Sequence, residues 1–509
     1  MKNNIYKTIL YTALVATTSA CVGLDSAPYD KETDLTYWEK PEAAIYSLNG
    51  CYPTLFSAEE VLYADAMSDN AYTKATVGFN QAIGSGTHST DYPYLKSVWD
   101  SRYGGVKKCN ELLNNIDRVP GLSAETKEQY IAEATVIRAF HYFELYSRFG
   151  DVPYFTNVIS IKESQQLVRT PKQEIVTKIL EELTTIIDNN ALPASYGDAD
   201  KGRITRWAAM ALKARILLFE GNWKEVKAVT DRIMKQGPHR LFPSYSGLFE
   251  VANENNEEVI LDLQYISPER EHNKQYEFLP PTLGGYAQLA PLQELVDSYL
   301  DGDPRLDATI VYSGNSYQMA DGTYTTINTS PGVAPDGYGY SSNCSPTGYY
   351  IKKYWDKTFR GGNMSGLNII LIRYADVLLM HAEALAELGE MNETAWNETI
   401  RLIRQRAGFT DNAVLQFPGT TDIVNVIRRE RRSELALEGL RYKDIIRWKI
   451  GKEVMNGWCH GLYTGEIIGT DNGFMRVEQR TFNTDKHYLW PIPQSERDLN
   501  KNLTQNPNW

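Results

Sequence analysis

The chain has 509 residues, 42% hydrophobic and 23% charged, a globular composition with room for one large core or a few ordinary ones. A formal net charge of −12, with no long Lys/Arg block, excludes the electrostatic footprint of a nucleic-acid binder. The 33 tyrosines and 10 tryptophans suit a wet surface that could take sugar rings, although most tyrosines in a large helical protein belong to its core.

Residues 1–20 read as a secretory signal. Lys2 and Lys7 form a short basic start, an apolar run follows from Ile9 to Ala16, and Thr17, Thr18, Ser19 and Ala20 lead to Cys21. The run is too short to span a bilayer as a helix. A Cys directly after Ser19-Ala20 is similar to a bacterial lipoprotein cleavage site, where the thiol is acylated; Thr18 departs from the Leu preferred there, and plain secretion is the alternative. Residues 21–40, acidic at Asp25, Asp30, Glu32 and Asp34, are expected to form a tether ahead of one domain over 41–509.

Helical periodicity dominates that domain. Ser123 precedes an amphipathic run from Glu125 to Phe149, stopped by Gly150. Pro171 opens a helix over 172–188, and Thr205 opens one to Glu220, stopped by Gly221 and answered by a partner over 222–235. Arg373 to Leu388, stopped by Gly389, pairs with 393–406, stopped by Gly408, and a last helix is predicted over 422–438, ended by Gly439. Helix, glycine turn, helix, with Ala208, Ala209, Ala211, Ala214, Ala375, Ala382, Ala384 and Ala386 at crossing points, predicts tetratricopeptide-like hairpins. The hairpins are not contiguous. Insertions near 70–95 and 310–365 are rich in Gly, Ser, Thr, Asn and Tyr, and loops that long in a compact domain are usually functional or disordered. Cys51, Cys109, Cys344 and Cys459 show no metal or disulfide spacing and are expected to be buried free thiols.

Seven segments, in order, resemble the SusD/RagB family. They are Leu62–Asn70; Trp99 with Tyr103, Val106, Cys109 and Asn110; Glu133 to Pro153; Gly202 to Arg215; Leu371 to Glu383; Ile427 to Trp448; and the tail from Leu489 to Glu496 and Gln505 to Trp509, where Asn508 replaces a usual Gly. The resemblance spans nearly the whole mature chain. It implies a mainly α fold of tetratricopeptide-like hairpins packed against a less regular, loop-rich lobe with few short strands, in a lipid-anchored, outer-membrane binding protein that hands glycans to a SusC-like TonB-dependent porin and carries no catalytic function. Peptide or glycopeptide capture by the same architecture is the alternative.

The residues themselves give no catalytic pattern: no GxSxG, HExxH, P-loop or dinucleotide fingerprint, and seven dispersed histidines without metal-ligand spacing. A hydrolase with two distant carboxylates is a third reading. No cofactor or metal is expected, and Asp198-Ala199-Asp200 reads as a solvated turn rather than a calcium loop. The alternating Arg and Glu of 428–441 are expected to pair along one helix. Tyr349, Tyr350 and Tyr354, with Trp99, Trp207 and Trp448, fall in structural segments. The binding aromatics are therefore expected in or beside the insertions: Tyr72, Phe79, Tyr276, Phe278, Tyr286, Tyr338 and Tyr340, with Asp69, Asn70 and Asn80 as hydroxyl partners.

Overall fold

The computed structural model describes residues 34–74, 80–359 and 364–509. The signal, Cys21 and Phe79 lie outside the described residues. The last part of the expected tether is folded: Asp34–Tyr37 is helical, Trp38 is buried against Ala43, Leu48 and Leu112, and Tyr37 Oη lies 2.9 Å from Ser47 Oγ.

The scaffold helices are α1 (Ala43–Cys51), α2 (Pro93–Asn115), α3 (Ala124–Phe149), α4 (Lys172–Asp188), α5 (Arg206–Phe219), α6 (Trp223–Gln236), α7 (Tyr374–Glu387), α8 (Glu393–Glu398), α9 (Ile400–Ala407), α10 (Ile423–Glu434) and α11 (Arg441–Trp448). Successive helices pack on one another, α2 on α3, α3 on α4, α4 on α5, α5 on α6 and α6 on α7, and α7 also packs on α10. The predicted starts carry their caps, since Ser123 Oγ accepts from the Thr126 N–H (3.0 Å) and Thr205 Oγ1 from that of Ala208 (3.3 Å). The ends are equally explicit. Past α5, Gly221 at φ +70° donates to Leu218 O and Asn222 to Leu217 O; past α7, Gly389 at φ +69° donates to Ala386 O and Glu390 to Leu385 O. Both are Schellman turns, which need a left-handed residue and so favour glycine. The crossing-point alanines are buried, which lets α5 and α7 pack closely.

Two helices differ from expectation. The run over 393–406 breaks at Thr399, whose hydroxyl bonds back to Ala395 O (2.6 Å) and whose backbone leaves the helical region. The helix predicted to Gly439 stops at Glu434, because its carbonyl is taken by Arg373 Nη2 (2.7 Å) and Tyr245 Oη (3.1 Å) instead of a following N–H. Gly439, at φ +76°, serves a later turn.

The charges of 428–441 also pair differently. Their partners come from other segments, and no ion pair runs along the helix itself. Glu434 receives Arg305 (3.0 Å), Arg373 (2.7 Å) and Arg406; Glu430 receives Arg305 and Arg404 (2.7 Å each); Glu438 receives Arg373 (2.7 Å) and Lys353 (2.6 Å). Glu258 adds Arg373 (2.7 Å) and Arg406 (2.6 Å). All of these residues except Arg406 are buried, and the Arg406 side chain is itself only 4% exposed. Burial at this depth requires pairing, and the pairs join scaffold to lobe.

Most of the lobe is spliced in between α6 and α7, and short pieces before α2 and after α11 complete it. Its strands are short: β1 (Ala71–Thr73), β2 (Val259–Leu263), β3 (Leu289–Pro291), β4 (Ile369–Arg373), β5 (Gly457–Tyr463) and β6 (Phe474–Arg480), with a small hairpin over 316–326. β2 pairs antiparallel with β4, which runs straight into α7, and β5 pairs with β6. One apolar cluster runs from Cys51 to Leu503 through scaffold and lobe. The chain is mainly α, as the periodicity predicts, with the loop-rich lobe that the resemblance implies. The four described cysteines are free and buried, Tyr349, Tyr350 and Tyr354 are buried, and Asp198–Asp200 is an exposed turn.

Candidate functional site

Three segments far apart in sequence meet at β1. This strand pairs antiparallel with β3, with Tyr72 opposite Ala290. Just beyond it, Lys74 donates through Nζ to the carbonyls of Tyr286 (2.8 Å) and Ser342 (2.6 Å), and through its backbone to that of Gln288 (3.1 Å). One ammonium thus ties both insertions to the 274–290 segment. Burial lowers its pKa from the ordinary lysine value.

Tyr276 and Tyr286 meet edge to face at 4.4 Å, a favoured aromatic geometry, and the Tyr286 N–H donates to Tyr276 O (3.1 Å). Between them, Glu277 accepts from Tyr63 Oη and from Lys274 Nζ (2.8 Å). The second insertion folds on itself: Tyr338 donates to Thr329 O (3.2 Å) and accepts from the Gly332 N–H (2.8 Å). It is pinned by Asp336, which accepts from the backbone and hydroxyl of Thr282 (2.8 and 2.5 Å). Tyr72, Tyr276, Tyr286 and Tyr338 are half-buried, and Tyr340 is 53% exposed.

Other expected site residues have partners inside the protein. Phe278 is 1% exposed and packed in the core, so it offers no face to a ligand. Asp69 is buried, chelated by Arg441 (2.7 and 2.8 Å) and paired with Arg432 (3.0 Å). Burial alone would raise its pKa; the two guanidiniums outweigh that and hold it at about 2. Asn70 spans Asp65 (2.7 Å) and Arg432 (2.9 Å), and Asn80 donates to Tyr63 O (2.8 Å), both buried. These three brace the scaffold, because each polar atom they could offer is already engaged or enclosed. Lys74 is the residue the sequence reading missed; a lone lysine in a polar loop gives no periodic signal.

The β5–β6 hairpin flanks this region through Leu462, whose N–H donates to Thr347 O (2.8 Å). It carries exposed Trp458 and Tyr463. Among the described residues no group of three or more His, Cys, Asp or Glu side chains is placed to hold a metal ion, and no helix is long and apolar enough to cross a membrane.

A family model described as the SusD family matches residues 248–509, about half of the chain. The chain belongs to the SusD family. A second family model, described as starch-binding associating with outer membrane, matches residues 24–218 of this SusD-family chain. A SusD-like protein P25 of Formosa agariphila is 28% identical over 438 residues, covering 81% of this chain and 78% of its own. A solved SusD-like carbohydrate binding protein from Bacteroides fragilis is 28% identical with a TM-score of 0.83, covering 92% of this chain and all of its own. A laminarin binding SusD-like protein, 23% identical with a TM-score of 0.73 over 93% of this chain and all of its own, shares the fold.

Proposed function

We propose that this chain captures glycans at the outer surface without chemically altering them. Tyr72, Tyr276, Tyr286, Tyr338 and Tyr340 would supply the rings against which sugars stack. The observation that carries this reading is the Lys74 tie, which draws three tyrosine-bearing segments of the irregular lobe to one place. The name of the 28% identical Bacteroides fragilis protein supports the ligand class. Rings already fixed by packing lose little rotamer freedom on binding. A polyol gives up water for each hydrogen bond it makes, so affinity is expected between about micromolar and millimolar, roughly −8 to −4 kcal/mol. Acylation at Cys21 would hold the chain to the outer membrane. A SusC-like TonB-dependent porin would receive the glycan, and its second contact would raise the effective concentration.

Titration calorimetry of the full chain against panels of neutral glycans and of peptides tests this. A glycan should bind, and Tyr286→Ala should weaken it about fivefold, the worth of one stacked ring. Binding only by peptides, or unchanged affinity in Ala variants of all five tyrosines, would refute the assignment. For the anchor, a Cys21→Ala chain expressed without its porin should leave the membrane fraction.

A further inference from the structure

α10 has two faces of different character. Its inner face buries Ile427, Glu430 and Glu434. Its outer stripe, Asn425, Arg428, Arg429 and Arg432, follows i, i+3, i+4, i+7 spacing and lines a cleft of about 640 Å³. Arg441 and Arg480 also line it, and the opposite wall is the start of β5 with Asn456 and Trp458. The cleft includes none of the tyrosines assigned above to glycan stacking.

Several of these guanidiniums have donors to spare. Arg429 is exposed and makes no ion pair or hydrogen bond among the described residues. Arg428 is held through Nη2 by Glu387 (3.0 Å) and stacked over Trp448 (4.9 Å), with its side chain 25% exposed. Arg432 uses Nε and Nη2 on Asn70 and Asp69, which leaves Nη1 over, and Asp69 is already shared with Arg441. Burial, with Arg441 beside it, lowers the Arg432 pKa to about 10 in spite of Asp69. The acidic liners are mostly occupied: Glu294 takes His460 (2.8 Å), Asp297 takes Gln293 (2.7 Å), and Glu453 stands at the exposed edge. Across from the arginines, Trp458 is 40% exposed, with Arg476 lying 5.4 Å over its ring.

A planar guanidinium with free donors selects oxyanions, and an exposed indole selects the C–H face of a sugar ring. We infer that this cleft is a second binding site, for the oxyanion of an acidic sugar residue, with Arg428, Arg429 and Arg432 on the anion and Trp458 on the ring. A uronate carboxylate and a sulfate ester present the same chemistry. The sugar part rests on the glycan-capture reading; the oxyanion part does not.

The test is calorimetry of the full chain with an oligogalacturonate, a sulfated galactan oligosaccharide, the neutral galactan oligosaccharide and inorganic sulfate. At least one acidic oligosaccharide should bind more tightly than the neutral one, and added salt should weaken it. Arg429→Gln should cost it about tenfold, the worth of a charge-assisted hydrogen bond, and Arg429→Glu should abolish it, with melting temperature unchanged because the residue is exposed. Trp458→Ala should weaken the oligosaccharide and leave sulfate alone. Which acidic oligosaccharide wins identifies the anion. Neutral-glycan binding weakened in Tyr286→Ala but unchanged in Arg429→Glu would keep the two sites separate. Binding of neither acidic oligosaccharide below about 10 mM, or equal affinity in the Arg429 variants, overturns the inference.

Discussion

Substituting Asp69 by Asn leaves buried Arg441 and half-buried Arg432 without the carboxylate they share. The carboxyl is 3% exposed, so solvent screens little of the interaction. Its pKa falls from 3.8 to about 2 on folding, a difference worth about 2.5 kcal/mol. Stranding a buried partner costs about 3–5 kcal/mol, and Asn keeps one acceptor, so a loss of about 2–4 kcal/mol is expected. The sign in pH follows. A depressed acid contributes stability above its unfolded value, and that contribution is lost as pH falls from about 4 through about 2. Urea denaturation at pH 7, followed by tryptophan fluorescence, should show the full deficit, and the gap to wild type should narrow below about pH 4. A variant within about 0.5 kcal/mol of wild type that has nonetheless lost glycan affinity would refute the bracing role and restore Asp69 to the ligand site.

Glu434→Gln should destabilise by about 3–5 kcal/mol in the same assay, since Arg305, Arg373 and Arg406 all converge on that carboxylate. Gly389→Val should cost roughly 1 kcal/mol or more, for its left-handed backbone alone, because a Cβ there meets nothing; Gly439→Val should cost more, because its Cβ would sit 2.7 Å from Val61 O. Burial lowers the pKa of His88 to about 3 and of His487 to about 4, well below the unfolded 6.5. The unfolded chain therefore binds more protons in that window, and their contribution is lost as pH falls from about 6.5 toward 4. A His88→Gln/His487→Gln chain should lose that part of the pH slope in melting temperature, and an unchanged slope would contradict it.

The scaffold was legible because its signals are local. Ser123, Thr205, Gly221 and Gly389 act on backbone groups a few residues away, so their spacing alone marks the helix ends. The early stop at Glu434 was not legible: the donors that end it, Tyr245 and Arg373, lie far away in sequence. The same holds for the ion pairs of 428–441, whose spacing fits pairing along one helix while burial demands partners from other segments. At the candidate site, position beside an insertion singled out Tyr276 and Tyr286, which do meet, but could not separate them from Phe278, which turns inward within the same short helix. The arginine cleft was within reach, since a helical wheel over 425–432 places its stripe opposite Ile427 and Glu430.

The largest part of the lobe departs after α6 and returns at α7, and those two helices touch. To the scaffold, the whole excursion is a single loop with closed ends. Loop closure grows only with the logarithm of length, so each doubling costs about 0.6 kcal/mol. Segments such as the 316–326 hairpin can thus be lengthened, trimmed or exchanged with little effect on how the helices assemble. What must stay are the docking posts, Glu258, Arg305 and Lys353, whose charges have no other place to go. The architecture separates a fixed chassis from a rewritable ligand surface, and a new specificity can arise by editing loops while the posts hold the chassis in register.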